Sequence, residues 1–215
     1  MTLVENLMIN YIVISPTLAL LLTVIILLFC TITISTPMYI KKWVSFSGVL
    51  LTLFMIFLKF GLYSTDGISA YFSNMILSDP FSLVGNTLIA FILLFTFSSF
   101  WKTSELIESK TTEALILIFM SASGFMLMVD SENFIMLFIG LEIGSISLYA
   151  LAGLNRGDQL SNEASLKYFL LGSLASCIFI YGIALLYVSL SIIGLYEINL
   201  SLIHIRAHET DRHLV

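Results

Sequence analysis

Six long apolar stretches dominate this chain of 215 residues, and they constrain its fold more than any other feature. A helix needs about 20 apolar residues to cross a hydrocarbon core about 30 Å thick. The runs are continuous rather than alternating, which favours helices over barrel strands. The sequence therefore predicts an all-α, polytopic transmembrane helix bundle. Its spans are predicted over residues 11–34, 43–63, 80–101, 113–129, 133–154 and 162–194.

The composition supports a membrane protein and excludes several other classes. Hydrophobic residues make up 59% of the chain, charged residues only 11%, and the mean hydropathy is +1.03. A soluble domain would carry about 25% charged residues. The net charge of −5 leaves no basic patch, so a nucleic-acid partner is not expected. Cys30 and Cys177 both fall in predicted spans and indicate neither a disulfide framework nor a metal site.

The domain prediction is a single transmembrane helical domain over residues 1–196, followed by a polar tail over residues 197–215. His204 and His208 lie in that tail and are interpreted as solvated side chains rather than metal ligands. Residues 64–78 are mixed in character and predict either an interfacial helix or an ordinary loop. The Asp79–Pro80 pair that follows is typical of a helix start.

Three charged side chains near the ends of predicted spans have ordinary explanations. Lys59, close to the end of span two, is predicted to snorkel toward the headgroups. Asp130 and Glu132 bracket the turn between spans four and five and are interpreted as interfacial charges. None of the three is predicted to take part in a functional site.

The positive charges predict the topology. The loops after spans one, three and five contain Lys41 and Lys42, Lys102 and Lys110, and Arg156. By the positive-inside rule, the N-terminus should face outward. The first ten residues contain no basic residue, so neither a secretory signal nor a transit peptide is expected. We therefore expect a multi-pass protein of the mitochondrial inner membrane, with the bacterial plasma membrane as the alternative.

Glu142 is the principal candidate site residue, since it lies near the middle of the fifth apolar stretch. A carboxylate at that depth costs about 2.5–3.5 kcal/mol on insertion scales, so its default explanation is an ion or proton pathway. Ser145 and Tyr149 follow at i+3 and i+7 and share its helical face. Gly140 and Gly144 lie on a nearly opposite face, where they would let a neighbouring helix approach closely.

Lys167 is the second candidate site residue, and its partner stays open at this stage. It could pair with Glu163, four residues earlier on its own helix. Alternatively it could face Glu142, because the short connection with Ser161 as a helix N-cap makes spans five and six antiparallel neighbours. In the second arrangement, breaking the pair or moving the proton of the carboxylate would change the proton affinity of Lys167. Proton uptake would then be coupled to a distant electrostatic event.

Residues 137–187 also resemble a known family. The segments LFIGLEIGSISLYALAGLNR and SNEASLKYFLLGSLASCIFIYGIALLY are similar to the antiporter-like subunits of respiratory complex I. Within that group, they are most similar to NADH–ubiquinone oxidoreductase chain 2. The shared pattern is an L-E-x-x-S-x-x-x-Y span, a short loop with Arg, and an S-x-E-A-x-x-K-Y-F element.

The resemblance implies a proton-translocating membrane-arm subunit that couples NADH:ubiquinone electron transfer to proton pumping. Glu142 and Lys167 would map to the family's proton-path ion pair. No cofactor or metal is implied in this chain, since FMN and Fe–S clusters belong to partner subunits. The implied partners are other membrane-arm subunits and membrane lipid.

Family members have more spans than the six predicted here, which implies a companion chain carrying the later helices. Two alternative functions remain. The chain could be a subunit of a cation/proton antiporter or membrane-bound hydrogenase, or it could be a non-pumping structural subunit.

Overall fold

The computed structural model describes residues 3–32, 37–66, 69–72, 74–103 and 108–190. In chain order, the elements are α1 (Leu3–Ile32), α2 (Met38–Asp66), β1 (Ser69–Tyr71), β2 (Ile76–Ser78), α3 (Pro80–Thr103), α4 (Glu108–Val129), α5 (Phe134–Ala152) and α6 (Gln159–Leu190). Each of these six helices is long and apolar enough to cross a membrane. The predicted all-α polytopic helix bundle is therefore confirmed. The predicted tail and its histidines lie outside the described residues.

Each predicted span coincides with one helix, but several helices begin earlier than hydropathy predicts. Helix α2 begins at Met38 rather than residue 43, and α4 begins at Glu108 rather than residue 113. The extra turns contain polar residues, which a hydropathy window excludes although they continue the helix. Pro80 begins α3 as predicted. Asp79 Oδ1 accepts a hydrogen bond from Ser82 N (2.7 Å), which caps the free N–H groups of the first turn.

Helix α4 forms the centre of the bundle and α6 its edge. Helix α4 packs against α1, α3 and α5, whereas within the described residues α6 makes its extensive contacts with α5. A common apolar core joins the first four helices; it contains Leu20, Val24, Val49, Ile56, Ala90, Leu93, Phe119, Ala122 and Met126. Because the outer face of α6 contacts none of these helices, its large apolar side chains stay exposed.

The α4–α5 contact depends on three glycines. A Cβ atom on Gly124 would lie 2.4 Å from the backbone nitrogen of Gly144. A Cβ atom on Gly140 would lie 2.6 Å from the backbone nitrogen of Met128. The two backbones therefore touch directly, which confirms the close helix approach predicted from the spacing of Gly140 and Gly144.

Residues 69–78 contain a β-hairpin, so the prediction of an interfacial helix or irregular loop is wrong for this segment. Strands β1 and β2 pair antiparallel, with Ser69 opposite Ser78. Phe72 and Asn74 adopt φ values of 51° and 63° in the connection, the left-handed conformation that turns the chain back.

The hairpin docks on the turn between α4 and α5. Leu77 N donates to Asp130 O (2.8 Å), and Glu132 N donates to Met75 O (2.9 Å). These tertiary hydrogen bonds select the extended conformation, and no local sequence pattern could reveal them. We call this side of the bundle, formed by β1, β2 and the α4–α5 turn, the hairpin end.

Candidate functional site

Glu142 lies at the interface between α5 and α6, where it is half-buried. Its Oε1 accepts a hydrogen bond from Ser176 Oγ of α6. Ser176 Oγ also lies 3.0 Å from the carbonyl oxygen of Gly172, one turn earlier. A hydroxyl group has only one proton to donate, so Ser176 cannot satisfy both acceptors at once.

The same interface carries further polar contacts toward the other end of the bundle. Ser165 Oγ donates to Tyr149 O (2.8 Å), and Ser161 Oγ donates to Ala152 O (2.7 Å). A Cβ atom on Gly172 would lie 1.9 Å from Tyr149 Oη, so the tyrosine hydroxyl group lies directly over that glycine. We call this set the α5–α6 seam; it consists of Glu142, Tyr149, Ser161, Ser165, Gly172 and Ser176.

One sequence prediction about the seam needs correction. Helix α6 begins at Gln159, and Asp158 Oδ1 accepts from Leu160 N (3.1 Å), so Asp158 rather than Ser161 caps the helix. Ser161 instead connects the two helices. Ser145 shares a helix with Glu142, but its hydroxyl donates to Leu141 O of its own helix (2.7 Å).

Lys167 pairs on its own helix. Its Nζ lies 2.5 Å from Glu163 Oε1, and the two side chains are 69% and 58% exposed. Of the two alternatives, the structure therefore shows the pairing with Glu163. Helical geometry explains this choice. Nine residues are two and a half turns, so Lys167 and Ser176 lie on opposite faces of α6. Since Ser176 faces Glu142, Lys167 points away from α5.

A cavity with three polar lining residues lies at the end of the seam opposite the hairpin end. Its volume is about 480 Å³, and its lining includes Glu113 of α4, Arg156 of the α5–α6 loop and Ser165 of α6. Because Ser165 belongs to the seam, this cavity borders the α5–α6 interface on one side and the charged residues Glu113 and Arg156 on the other.

The hairpin end contains a buried ion pair that the sequence predictions missed. Lys59 Nζ lies 2.6 Å from Asp130 Oδ1, and the two side chains are 0% and 1% exposed. Asn86 Nδ2 donates to the same carboxylate oxygen (2.7 Å). The predictions that Lys59 snorkels and that Asp130 is an interfacial charge are wrong. Each charge compensates the other, which makes burial of both tolerable.

Chain order alone could have suggested this cluster. Lys59 is near the end of α2, Asn86 near the start of α3, and Asp130 directly after α4. In an antiparallel bundle these three positions meet at the same end. An amide in the first turns of an apolar span was the signal that could have identified them.

Comparison with known proteins agrees with the sequence resemblance. Residues 131–212 match the family model described as NADH:quinone oxidoreductase/Mrp antiporter, TM. NADH-quinone oxidoreductase subunit N 1 of Chloroherpeton thalassium is 50% identical over 117 residues, 54% of this chain and 24% of the relative. Subunit N of Cupriavidus taiwanensis is 32% identical over 162 residues, 74% of this chain and 32% of the relative.

Solved structures give the same result for the fold. Respiratory complex I from Thermus thermophilus with bound aureothin contains a chain with 28% identity and a TM-score of 0.67; the match covers 84% of this chain and 38% of that one. A membrane-bound sulfane sulfur reductase, an archaeal respiratory membrane complex, has a TM-score of 0.68 at 20% identity, covering 87% of this chain and 38% of the other. The second match shows a shared fold.

These matches agree with the resemblance to the antiporter-like subunits. The six long apolar helices fit a multi-pass membrane protein. The chain spans about a quarter to a third of the length of the two curated relatives described. Both of these relatives are bacterial, so the mitochondrial location remains a prediction.

Proposed function

We propose that this chain is part of a proton-translocating membrane-arm subunit of a respiratory complex I, in which it contributes one segment of the proton path. The observation that carries the proposal is the Glu142–Ser176 contact at the α5–α6 interface. The subunit N relatives and the complex I neighbour support the assignment. The enzyme would be a proton-translocating NADH:quinone reductase. FMN and Fe–S clusters would reside in partner subunits, and this chain would need no cofactor.

The contacts around Ser176 allow Glu142 to gain or lose a proton while only the hydroxyl group of Ser176 rotates. When Glu142 is ionised, Ser176 donates to its carboxylate. When Glu142 takes up a proton, the new O–H group donates to Ser176 Oγ, and Ser176 donates to Gly172 O. Both states keep every proton in a hydrogen bond. Hydrogen bonds arranged in this way before the reaction lower the reorganisation that charge movement requires.

Lys167 would act on the opposite face of α6. It is exposed in this chain and paired with Glu163, on a face that no described helix covers. The later helices of the relatives would cover that face, either as a companion chain or as the continuation of a longer one. Lys167 and Glu142 would then lie on successive steps of the proton path, separated by the width of α6.

A second candidate function is a subunit of a cation/proton antiporter or a membrane-bound hydrogenase. The matching family model covers Mrp antiporters as well as quinone oxidoreductases. Either complex could use Glu142 in the same way. Co-purification from gently solubilised membranes distinguishes them, because the leading proposal requires quinone-reductase subunits and a mitochondrial inner membrane or bacterial plasma membrane.

The test is Glu142→Gln in sealed membrane vesicles. We expect NADH-driven proton uptake to fall severalfold while the complex still assembles, because glutamine fits the site but cannot take up and release a proton. Ser145→Ala is the control, since among the described residues the Ser145 hydroxyl group donates to Leu141 O of its own helix. Normal pumping by Glu142→Gln, together with loss of the complex when the chain is deleted, would instead indicate a structural subunit.

A further inference from the structure

The hairpin end contains a second group of buried polar side chains, which lies apart from Glu142. We call Lys59, Asn86 and Asp130 the Asp130 cluster. The three side chains come from α2, α3 and the turn after α4, and the exposed fraction of each residue is at most 1%. Glu142 lies eight residues beyond Phe134, the first residue of α5, which is about 12 Å along the helix axis. The two sites are therefore separate.

Two acceptor oxygens of the cluster have no donor among the described residues. Asp130 Oδ1 accepts hydrogen bonds from both Lys59 and Asn86. Asp130 Oδ2 is also buried but has no hydrogen-bond partner among the described residues. The same is true of Asn86 Oδ1, whose orientation is fixed because the amide nitrogen donates to the carboxylate.

A third buried oxygen belongs to the hairpin, which hydrogen-bonds to the turn that contains Asp130. Ser78 Oγ, in β2, likewise has no partner among the described residues. Its neighbour Leu77 donates a backbone hydrogen bond to Asp130 O. Buried polar atoms without protein partners are rare in native proteins, and a bound water or ion commonly satisfies them.

The chemistry of the group selects its ligand. Asp130 Oδ2 and Asn86 Oδ1 are both acceptors, so the ligand must donate two hydrogen bonds. The ammonium group of Lys59 repels a metal cation, and the carboxylate of Asp130 repels an anion. Water fits both requirements, since it is neutral, donates two hydrogen bonds and accepts from the Ser78 hydroxyl group.

We propose that the Asp130 cluster is a second proton-binding site, in which water bound between Asp130 Oδ2 and Asn86 Oδ1 delivers the proton. The step is a simple transfer: hydronium gives H⁺ to the carboxylate, leaving water and a neutral carboxylic acid. Lys59 keeps its proton throughout. The cluster thereby changes from net neutral to a single positive charge.

The surrounding charges are consistent with proton uptake. Burial raises the pKa of Asp130 from 3.8 to about 6, against the opposing effects of Lys59 and of the hydrogen bond from Asn86. Asp79, between β2 and α3, raises the pKa further through its negative charge. Glu132 adds another acidic group two residues later in the turn, whereas the last turn of α4 and the first turn of α5 contain no ionisable side chain.

Infrared difference spectroscopy of the complex that contains the full chain tests this proposal. We expect the C=O stretching band of a buried protonated carboxyl group to appear on acidification with a midpoint near pH 6. The band should shift promptly in D₂O, since water reaches the group. Asp130→Asn should abolish the band, and the matched control Asp158→Asn, at an exposed aspartate, should leave it unchanged.

Lys59→Met provides a second signature, which a purely structural role would not produce. Removing the ammonium group removes the charge that favours ionised Asp130, so the midpoint should move to higher pH. If Asp130→Asn does not assemble, Lys59→Met/Asp130→Asn removes both charges and should likewise lack the band. A band that persists in either Asp130 variant, or a wild-type complex without a titrating band near pH 6, overturns the proposal. The measurement does not depend on proton pumping.

Discussion

The α5–α6 seam and the Asp130 cluster place charge in the bundle in opposite ways. Glu142 lies at the middle of its span but is half-buried, because α6 is the edge helix. Lys59 and Asp130 lie near helix ends but are fully buried, at the end of the bundle where the hairpin hydrogen-bonds to the α4–α5 turn. Depth along a span and burial within the protein are therefore independent. A charge near a helix end can be better shielded from solvent than one at mid-membrane.

The largest expected difference is in stability, between the buried ion pair of the Asp130 cluster and the exposed Lys167–Glu163 pair on the outer face of α6. Lys59→Met leaves the Asp130 carboxylate buried without its counter-charge, which should cost about 3–5 kcal/mol of unfolding free energy near neutral pH. Lys167→Met breaks a pair that is more than half exposed, so we expect a cost of about 0–1 kcal/mol. The free energy of unfolding of both variants and of the wild-type protein can be measured in mixed micelles.

The double variant Lys59→Met/Asp130→Leu makes this comparison sharper. It removes both buried charges and should recover much of the stability lost in Lys59→Met. Equal losses in Lys59→Met and Lys167→Met would contradict the contrast between an enclosed and an open ion pair.

A smaller effect should appear in the pH dependence of stability. The folded protein holds the Asp130 proton more tightly than the unfolded chain does, since the pKa is raised from 3.8 to about 6 by burial. The tighter binding of this proton stabilises the folded protein. That contribution to the free energy of unfolding is fully present below about pH 4 and is lost as the pH rises to about 6. With about 1.4 kcal/mol per pKa unit, the total loss is about 3 kcal/mol.

The measurement compares unfolding of wild-type protein and Asp130→Asn from about pH 4 to pH 7. The difference between the two curves isolates Asp130 from the other acidic groups. It should change steeply across this interval and level off above about pH 6. A difference that is constant with pH would mean that Asp130 titrates alike in the folded and unfolded states.

The sequence predicted the helices well but only some of the contacts between them. Hydropathy located six helices, the Asp79–Pro80 pair located the start of α3, and the glycine spacing predicted the α4–α5 contact. These features depend on local composition or on periodicity along one helix.

The errors arose where distant segments meet. The hairpin is stabilised by hydrogen bonds to residues 130–132, and Lys59 is buried by a carboxylate 71 residues away. Snorkelling is a sound default for a lysine near a helix end, because a single helix offers it no partner. The sequence alone could not decide the partner of Lys167, because its half-turn offset from Ser176 excludes Glu142 only once the structure shows that Ser176 faces Glu142.

The smallest expected effect concerns the hydrogen bonds of the seam. Ser165→Ala removes the hydrogen bond to Tyr149 O between α5 and α6, and hydrogen bonds between membrane helices average about 0.6 kcal/mol. Ser173→Ala is the matched control, because Ser173 donates only to Leu170 O of its own helix. Since α6 has few other contacts within the described part of the chain, we expect Ser165→Ala to increase amide hydrogen exchange in the first half of α6 and Ser173→Ala to leave it unchanged. Equal exchange in both variants would show that apolar contact with α5 holds this edge helix in place and that its serines contribute little.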